Sequence, residues 1–429
     1  MIFKLLKIVN CFLVKNENSI LFLPHNNCKT DNYDIINYKS DNVLCLFNSI
    51  IRDNSFSNCS LTIAYYDDSK LSIYEKYVSD IAPGFSISFI NANKRFEVMK
   101  SFMHNRLCIT AHVHFNFSFK TDKQNVICLS YYNPFKDDFI SINSLSPRKC
   151  SDLKIMTEKS FDFHLATSSV CARITSIDLL LDFSKFCITG FPRNDIFYSD
   201  NTKLSELIYN LLGVENVKII CYTPTFRDYE RLDLDLGDSN LRKNKTIFGN
   251  ISTHEFDELT SLLHQTNSIL IYKLHPWQER EILDACENPR IINANRIQQQ
   301  LNISLYEILS VTDVLITDYT STVFDFLHRN KPIIFYFYDY DNYKINRGFS
   351  YNPVEPVCGG AIAKSFSDLL LELKNCINGV DEYKNKREVI HGLLNAHHDG
   401  NSCKRVSQLV YDISKNKVQP HYAWKYLFS

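Results

Sequence analysis

Short apolar runs alternate with longer stretches of helical periodicity along nearly the whole chain. That alternation constrains the fold more than any other feature. Ser19–Leu23, Leu61–Tyr65, Leu107–Ala111 and Val126–Leu129 read as buried strands, and Ser69–Ser79 and Arg95–Asn105 between them carry apolar residues at helical spacing. A second set follows at Phe186–Thr189, Val217–Tyr222, Ile269–Tyr272, Val314–Thr317 and Ile333–Tyr336. Apolar strands separated by helices predict parallel sheets covered on both faces. About ten strands are more than one doubly wound sheet usually holds. The expected class is therefore α/β with two Rossmann-like doubly wound domains. The best boundary lies near Asp195–Leu204, giving residues 1–199, then 200–410, then a tail over 411–429.

Composition narrows the chemistry. Lys plus Arg total 47 against 48 Asp plus Glu, so no global basic field exists to attract nucleic acid. Only 11 glycines are present in 429 residues, which leaves no glycine-rich loop to cradle a nucleotide phosphate. The 14 cysteines are scattered singly without a CxxC pair, and many sit in apolar runs. They read as buried reduced thiols, not as disulfides or zinc ligands. No run reaches the ~18 apolar residues of a membrane span. Near the N-terminus, Lys4, Lys7 and Lys15 fall on one side of a helical wheel, with Ile2, Leu5, Val9, Phe12 and Leu13 on the other. That pattern fits either an ordinary first helix packed on its domain or one lying on a membrane surface.

In open parallel sheets, ligands bind beyond the carboxyl ends of the strands. In the second half, Val217–Tyr222 runs into Thr225 and Arg227, and Ile269–Tyr272 runs into His275-Pro276. Val314–Thr317 runs into Asp318, Thr320, Ser321 and Thr322, which open an apolar helix. Three strand ends thus bring an Arg, a His and a hydroxyl-rich helix start to one rim. Hydroxyls combined with the free N–H groups of a helix start make an anion site without a glycine loop. Simple N-capping by Thr320 or Ser321 is the alternative. Ser304 with Glu307 forms a capping box for the helix before, a structural feature. His275 suits acid–base work or phosphate donation, or a satisfied structural role. Arg227 and Arg347 are cations able to reach a diphosphate.

These segments together resemble the CDP-glycerol glycerophosphotransferases, the teichoic acid primases and polymerases. Thr312–Phe326 followed by Asn330–Tyr336 is similar to the family signature. Thr189–Asp195 resembles its Gly-x-Pro-Arg-Asn-Asp turn, Tyr222–Arg227 its Pro-Thr-x-Arg, and Lys273–Pro276 its Leu-His-Pro. Tyr338-Asp339 with Tyr343 and Arg347-Gly348-Phe349, then Asp399-Gly400 with Arg405-Val406, complete the series in the family's order over roughly residues 150–410. Gly190, Gly348 and Gly400 each fall inside a matched motif.

The resemblance implies a glycosyltransferase-B-like architecture with the acceptor on residues 1–199 and a CDP-linked polyol donor on 200–410. It implies transfer of a polyol phosphate, such as glycerol phosphate, to a hydroxyl of a lipid-linked saccharide or polymer acceptor, with release of CMP. Such transfer builds teichoic acid, capsule or O-antigen-like polymer in the cytoplasm, at the inner face of the plasma membrane, without nucleic acid, metal or other cofactor. Residue by residue, His275 would assist at the diphosphate, Asp318, Ser321 and Thr322 would hold the donor, and Thr225, Arg227, Thr320 and Arg347 would add contacts.

One motif departs. At the place of the family's Trp-His-Gly-Thr-Pro, this chain has Leu129–Lys136, with Tyr131 at the position of the expected base. A phenol with pKa near 10 is a poor base at neutral pH unless strongly perturbed. Three readings stay open: His112 or His114 takes over, Tyr131 is tuned, or the chain binds the donor without turning it over. The rivals to a polyol-phosphate transferase are thus a non-catalytic donor-binding partner and a nucleotide-sugar glycosyltransferase of the same fold.

Overall fold

The computed structural model describes residues 2–25, 39–111, 116–129, 147–225, 247–249, 251–274, 288–346, 348–349 and 353–418. The described residues divide into two compact units, the first built from those up to Tyr198 together with those from Leu393 onward, the second from those within Ser199–Gly392.

Among the described residues the first unit holds seven strands: β1 (Asn16–Leu23), β2 (Ser60–Tyr65), β3 (Ser86–Asn91), β4 (Asn105–Thr110), β5 (Asn125–Cys128), β6 (Phe163–Ala166) and β7 (Phe186–Ile188). All pair in parallel, in the order β3-β2-β1-β4-β5-β6-β7. Successive strand residues point to opposite faces. Ile20, Phe22, Leu107, Ile109 and Ile127 therefore join one core, while Leu21, Leu23, Cys108, Val126 and Cys128 join the other. Cys108 and Cys128 sit there as small apolar fillers, and every described cysteine is a free thiol.

The second unit repeats the plan with β8 (Lys218–Thr223), β9 (Ser268–Tyr272), β10 (Ile291–Asn293), β11 (Val314–Thr317), β12 (Ile333–Tyr336) and β13 (Ala361–Ala363). Its parallel order is β10-β9-β8-β11-β12-β13, so the chain direction across the sheet reverses between β8 and β11. Among the described residues, thirteen strands in two sheets give the expected α/β class of two Rossmann-like doubly wound units.

The limits assigned to the second domain need correction. The helix Ser402–Ser414 carries Val406, Leu409, Val410 and Ile413 at helical spacing, and all four are buried in the first unit's core beside Phe47 and Ile50. An apolar stripe of that kind must be covered, so residues 393–418 return to the first unit and form neither the end of the second domain nor a loose tail. Two of the sequence motifs lock this return. Asp195 accepts the N–H groups of Ser402 (2.8 Å) and Cys403 (2.7 Å), capping the helix from 207 residues away where its own N-cap, Asn401, makes no side-chain cap. Arg405 donates from Nε to the Thr189 carbonyl at 2.9 Å and through one guanidinium nitrogen to both Asp399 oxygens. That guanidinium holds the Asp399 carboxyl well below its usual range. Gly190 and Gly400 have φ of +73° and +66°, and a Cβ on either would meet Ser402 Oγ at 2.5 Å or Tyr198 Cβ at 2.6 Å. Asp195→Ala leaves two helix-start N–H groups without this acceptor, and about 1–2 kcal/mol of stability should be lost, read as a lower denaturant midpoint at unchanged slope. An unchanged midpoint would show that water replaces the carboxylate without loss.

Candidate functional site

The reversal between β8 and β11 places two strand ends side by side. Thr223 pairs in register with Thr317, and each hydroxyl bonds across the gap, Thr223 Oγ1 to Thr317 Oγ1 at 3.3 Å and Thr317 Oγ1 to the Thr223 carbonyl at 3.2 Å. Immediately beyond them, Asp318 accepts the Thr225 N–H on both oxygens at 2.9 Å and the Thr225 hydroxyl at 2.7 Å. The Tyr319 N–H donates to the same carboxylate. Asp318 is 1% exposed and Thr225 6%. Their polar atoms bind each other, and the carboxylate is a buried clasp that fixes the chain leaving β8 onto the chain leaving β11.

Thr320, Ser321 and Thr322 are half-buried at the same edge. They open the helix Thr322–Phe326, whose N-cap Ser321 makes no side-chain capping bond. Simple capping by Ser321 is therefore not what these hydroxyls do. Thr320 Oγ1 and Thr322 Oγ1 lie 3.3 Å apart, a pair of hydroxyls at the rim. The helix is only 5 residues long before a 3₁₀ turn takes over at Leu327–Arg329. The capping box of Ser304 and Glu307 is formed in both directions, as its spacing predicts.

An aromatic platform supports this edge and was not anticipated. Tyr319 is fully buried, with ring centroids 3.9 Å from Tyr343, 4.8 Å from Phe337 and 5.3 Å from Phe349. Its hydroxyl donates to Asp339 at 3.3 Å. The Tyr338-Asp339, Tyr343 and Gly348-Phe349 motif segments thus converge on the residue after Asp318. The signal lay in the sequence as the aromatic residues of the Tyr338-Asp339, Tyr343 and Phe349 motif segments, but only the third dimension shows that Tyr319 is their common partner. On the other side, Lys273 follows β9, with its N–H on the Tyr222 carbonyl at 2.9 Å and its Nζ on Asn295 Oδ1 at 2.6 Å. His275, Arg227, Arg347, Tyr131, His112 and His114 lie outside the described residues. Among the described residues, no group of three or more His, Cys, Asp or Glu side chains is arranged to hold a metal ion.

Residues 88–412 match the model of the family described as CDP-glycerol:poly(glycerophosphate) glycerophosphotransferase. The chain belongs to that family. A teichoic acid glycerol-phosphate primase from Bacillus subtilis (strain 168) is 30% identical over 256 residues, covering 59% of this chain and 58% of that protein. The teichoic acid ribitol-phosphate polymerase TarK from Staphylococcus aureus (strain NCTC 8325 / PS 47) is 27% identical over 190 residues, covering 44% and 34%. This glycerophosphotransferase-family chain therefore spans little more than half the length of the first relative and about a third of the second. Among solved structures, the wall teichoic acid polymerase TagF superposes with a TM-score of 0.73 at 19% identity, over 97% of this chain and 94% of that one. That likeness shows a shared fold, the glycosyltransferase-B-like class of two Rossmann-like units.

Proposed function

We propose that this chain transfers a polyol phosphate from a CDP-linked donor, CDP-glycerol or CDP-ribitol, to a hydroxyl of a lipid-linked saccharide or polymer acceptor in cell-surface polymer synthesis. The observation that carries the reading is the β8/β11 edge. A buried Thr225–Asp318 clasp holds two strand ends together and leaves Thr320–Thr322 at the rim. The acceptor oxygen attacks the phosphorus that bears the polyol, the bond to the bridging oxygen breaks, and CMP leaves with the electron pair. Thr320, Ser321 and Thr322 donate hydrogen bonds to the donor's phosphates, and Arg227, Arg347 and His275 supply positive charge and a proton donor there. Preorganised donors of this kind stabilise charge that develops on phosphoryl oxygens.

The experiment that tests the reading offers purified protein CDP-glycerol, CDP-ribitol and a UDP-sugar, each with and without acceptor lipid, and measures nucleotide release. Acceptor-dependent CMP release supports it. Release only from the UDP-sugar points to a glycosyltransferase, and tight donor binding without release points to a non-catalytic partner.

A second reading concerns the membrane. The helix Ile2–Phe12 packs inward through Leu6, with Leu13 just past its end, and buries Asn10, whose amide donates to the Phe119 carbonyl at 2.9 Å. Leu5, Ile8, Val9 and Phe12 face outward at i, i+3, i+4 and i+7, with exposures of 62, 58, 45 and 83%. Of the residues on the apolar side of the helical wheel, Leu13 turns inward, and Ile8 joins Leu5, Val9 and Phe12 in facing outward. An apolar stripe left uncovered by its own unit suits the headgroup boundary of a bilayer. No helix among the described residues is long and apolar enough to cross one. Replacing Leu5, Ile8, Val9 and Phe12 together by serine leaves the inward contacts intact. Cosedimentation with anionic vesicles should fall tenfold or more, a change of about 1.4 kcal/mol. Unchanged cosedimentation removes this helix as the anchor.

A further inference from the structure

A groove of about 530 Å³ runs beside the N-terminal helix of the first unit, within the roughly 300–1,000 Å³ usual for ligand pockets. Its walls are the helix Ile2–Phe12, the chain over Asn116–Asp122 and the helix Pro147–Ser160. Hydrogen bonds fix these walls to one another. The Asn10 amide donates to the Phe119 carbonyl at 2.9 Å, and the Phe117 N–H donates to Ser160 Oγ at 2.9 Å. The Phe3 ring stacks on that of Phe119, with centroids 6.2 Å apart. The groove is therefore preformed.

Its lining pairs apolar with charged groups. Asp152, Ile155, Met156 and Lys159 recur at i, i+3, i+4 and i+7, so one face of the second helix meets the groove. That face carries a carboxylate a turn before the apolar pair and an ammonium a turn after it, roughly 10 Å apart along the axis. On the first helix Phe3 and Lys7 repeat the pairing at i and i+4. Phe3 is 44% exposed and Ile155 49%. Two lining charges are neutralised within the unit, Lys120 by Asp162 at 2.8 Å and Glu158 by Lys185 at 2.9 Å. Among the described residues Lys7, Lys159, Asp122 and Asp152 form no ion pair, and all four are exposed. The groove thus offers two cations and two anions beside an apolar wall.

We infer that this groove binds the zwitterionic headgroup of a membrane phospholipid, one that carries a phosphate and a primary ammonium. The inference rests on the membrane contact proposed above for the outer stripe of the helix Ile2–Phe12. At about 100° per residue, Phe3 and Lys7 stand on the flank between the buried Asn10 and the exposed Ile8 of that stripe. A lysine suits this place, because its stem lies along apolar surface while its ammonium stays at headgroup level. Lys7 and Lys159 bind the phosphate through charge-assisted hydrogen bonds, and Asp122 and Asp152 bind the ammonium. The first acyl carbons lie along Phe3, Ile155 and Met156. A purely anionic headgroup would bring its charge against two carboxylates, and a quaternary ammonium has no N–H to give them.

The test titrates the full chain with soluble short-chain lipids below their micelle concentrations and reads binding by calorimetry. Dihexanoyl-phosphatidylethanolamine should bind about tenfold more tightly than its phosphatidylglycerol and phosphatidylcholine counterparts, and than glycerophosphoethanolamine, which has no acyl chains. Asp152→Asn should abolish the preference for ethanolamine over glycerol headgroups, and Ile155→Ser should weaken the ethanolamine lipid about tenfold. Both positions are exposed, so both variants should keep the wild-type melting temperature. Equal affinity for ethanolamine and glycerol headgroups overturns the zwitterion assignment. Equal affinity for glycerophosphoethanolamine overturns the lipid in favour of a free phosphoamine. Binding of none of the four, or binding unchanged in both variants, overturns the site itself while leaving the outer stripe as a membrane contact. Unchanged vesicle cosedimentation of the stripe variant would instead remove the membrane contact, and with it the membrane as the source of the lipid.

Discussion

Asp318→Ala should leave the protein folded but weakened, by about 2–6 kcal/mol, and should abolish measurable donor turnover. The stability figure follows from two buried donors, the Thr225 N–H and hydroxyl, each losing its acceptor at about 1–3 kcal/mol. The activity loss follows from geometry, because the clasp fixes the chain leaving β8 against the chain leaving β11, and both run directly into residues assigned to the donor. Asp318→Asn separates the two effects. It preserves volume and one acceptor oxygen but turns an NH₂ group toward the Thr225 N–H, which can no longer be accepted on both sides. Its stability should lie between wild type and Asp318→Ala, with donor KM raised more than the melting temperature is lowered. If Asp318→Ala bound CDP-glycerol as tightly as wild type, the clasp would be irrelevant to the donor and the site would have to be sought elsewhere on the rim.

His275→Ala should lower the rate of CMP release by about 10²–10⁴-fold, the usual contribution of a positioned acid or base, with donor affinity changed only a few-fold. This expectation comes from the Leu-His-Pro resemblance and from chain position. β9 lies directly beside β8 in the sheet, and its chain continues through Lys273 and the buried Leu274 toward His275. A rate within threefold of wild type would make His275 a satisfied structural histidine, the alternative that its sequence context alone allows.

Much of the fold was legible in the sequence because parallel strands covered on both faces are written as continuous apolar runs. β1, β2, β4, β5, β7, β8, β9, β11 and β12 are of that kind, and each was foreseen within a few residues. Three of the strands that gave no clear run, β3, β10 and β13, lie at sheet edges. There one side is open, and Ser86–Asn91 alternates serine with isoleucine and phenylalanine along most of its length. The fourth, β6, carries His164, polar on paper but held neutral by burial.

The candidate site was legible as a location and less so as a set of roles. A carboxylate at a strand end reads the same whether or not it also binds a neighbouring loop, and Asp318 binds Thr225. The clasp of Asp195 on Ser402 and Cys403 joins residues 207 positions apart, beyond any local pattern. The sharing of Tyr319 by Phe337, Tyr343 and Phe349 likewise needs the tertiary fold.

The central claim is phosphoryl transfer from a CDP-linked polyol, and phosphorus NMR of the reaction mixture tests it most directly. With CDP-glycerol and a hydroxyl-bearing acceptor, the diphosphate signals should decay as two others grow in equal amounts, the monoester of CMP and a phosphodiester on the acceptor. Diphosphate signals that persist unchanged while the donor is bound, or a monoester of glycerol phosphate in place of the phosphodiester, would contradict the account.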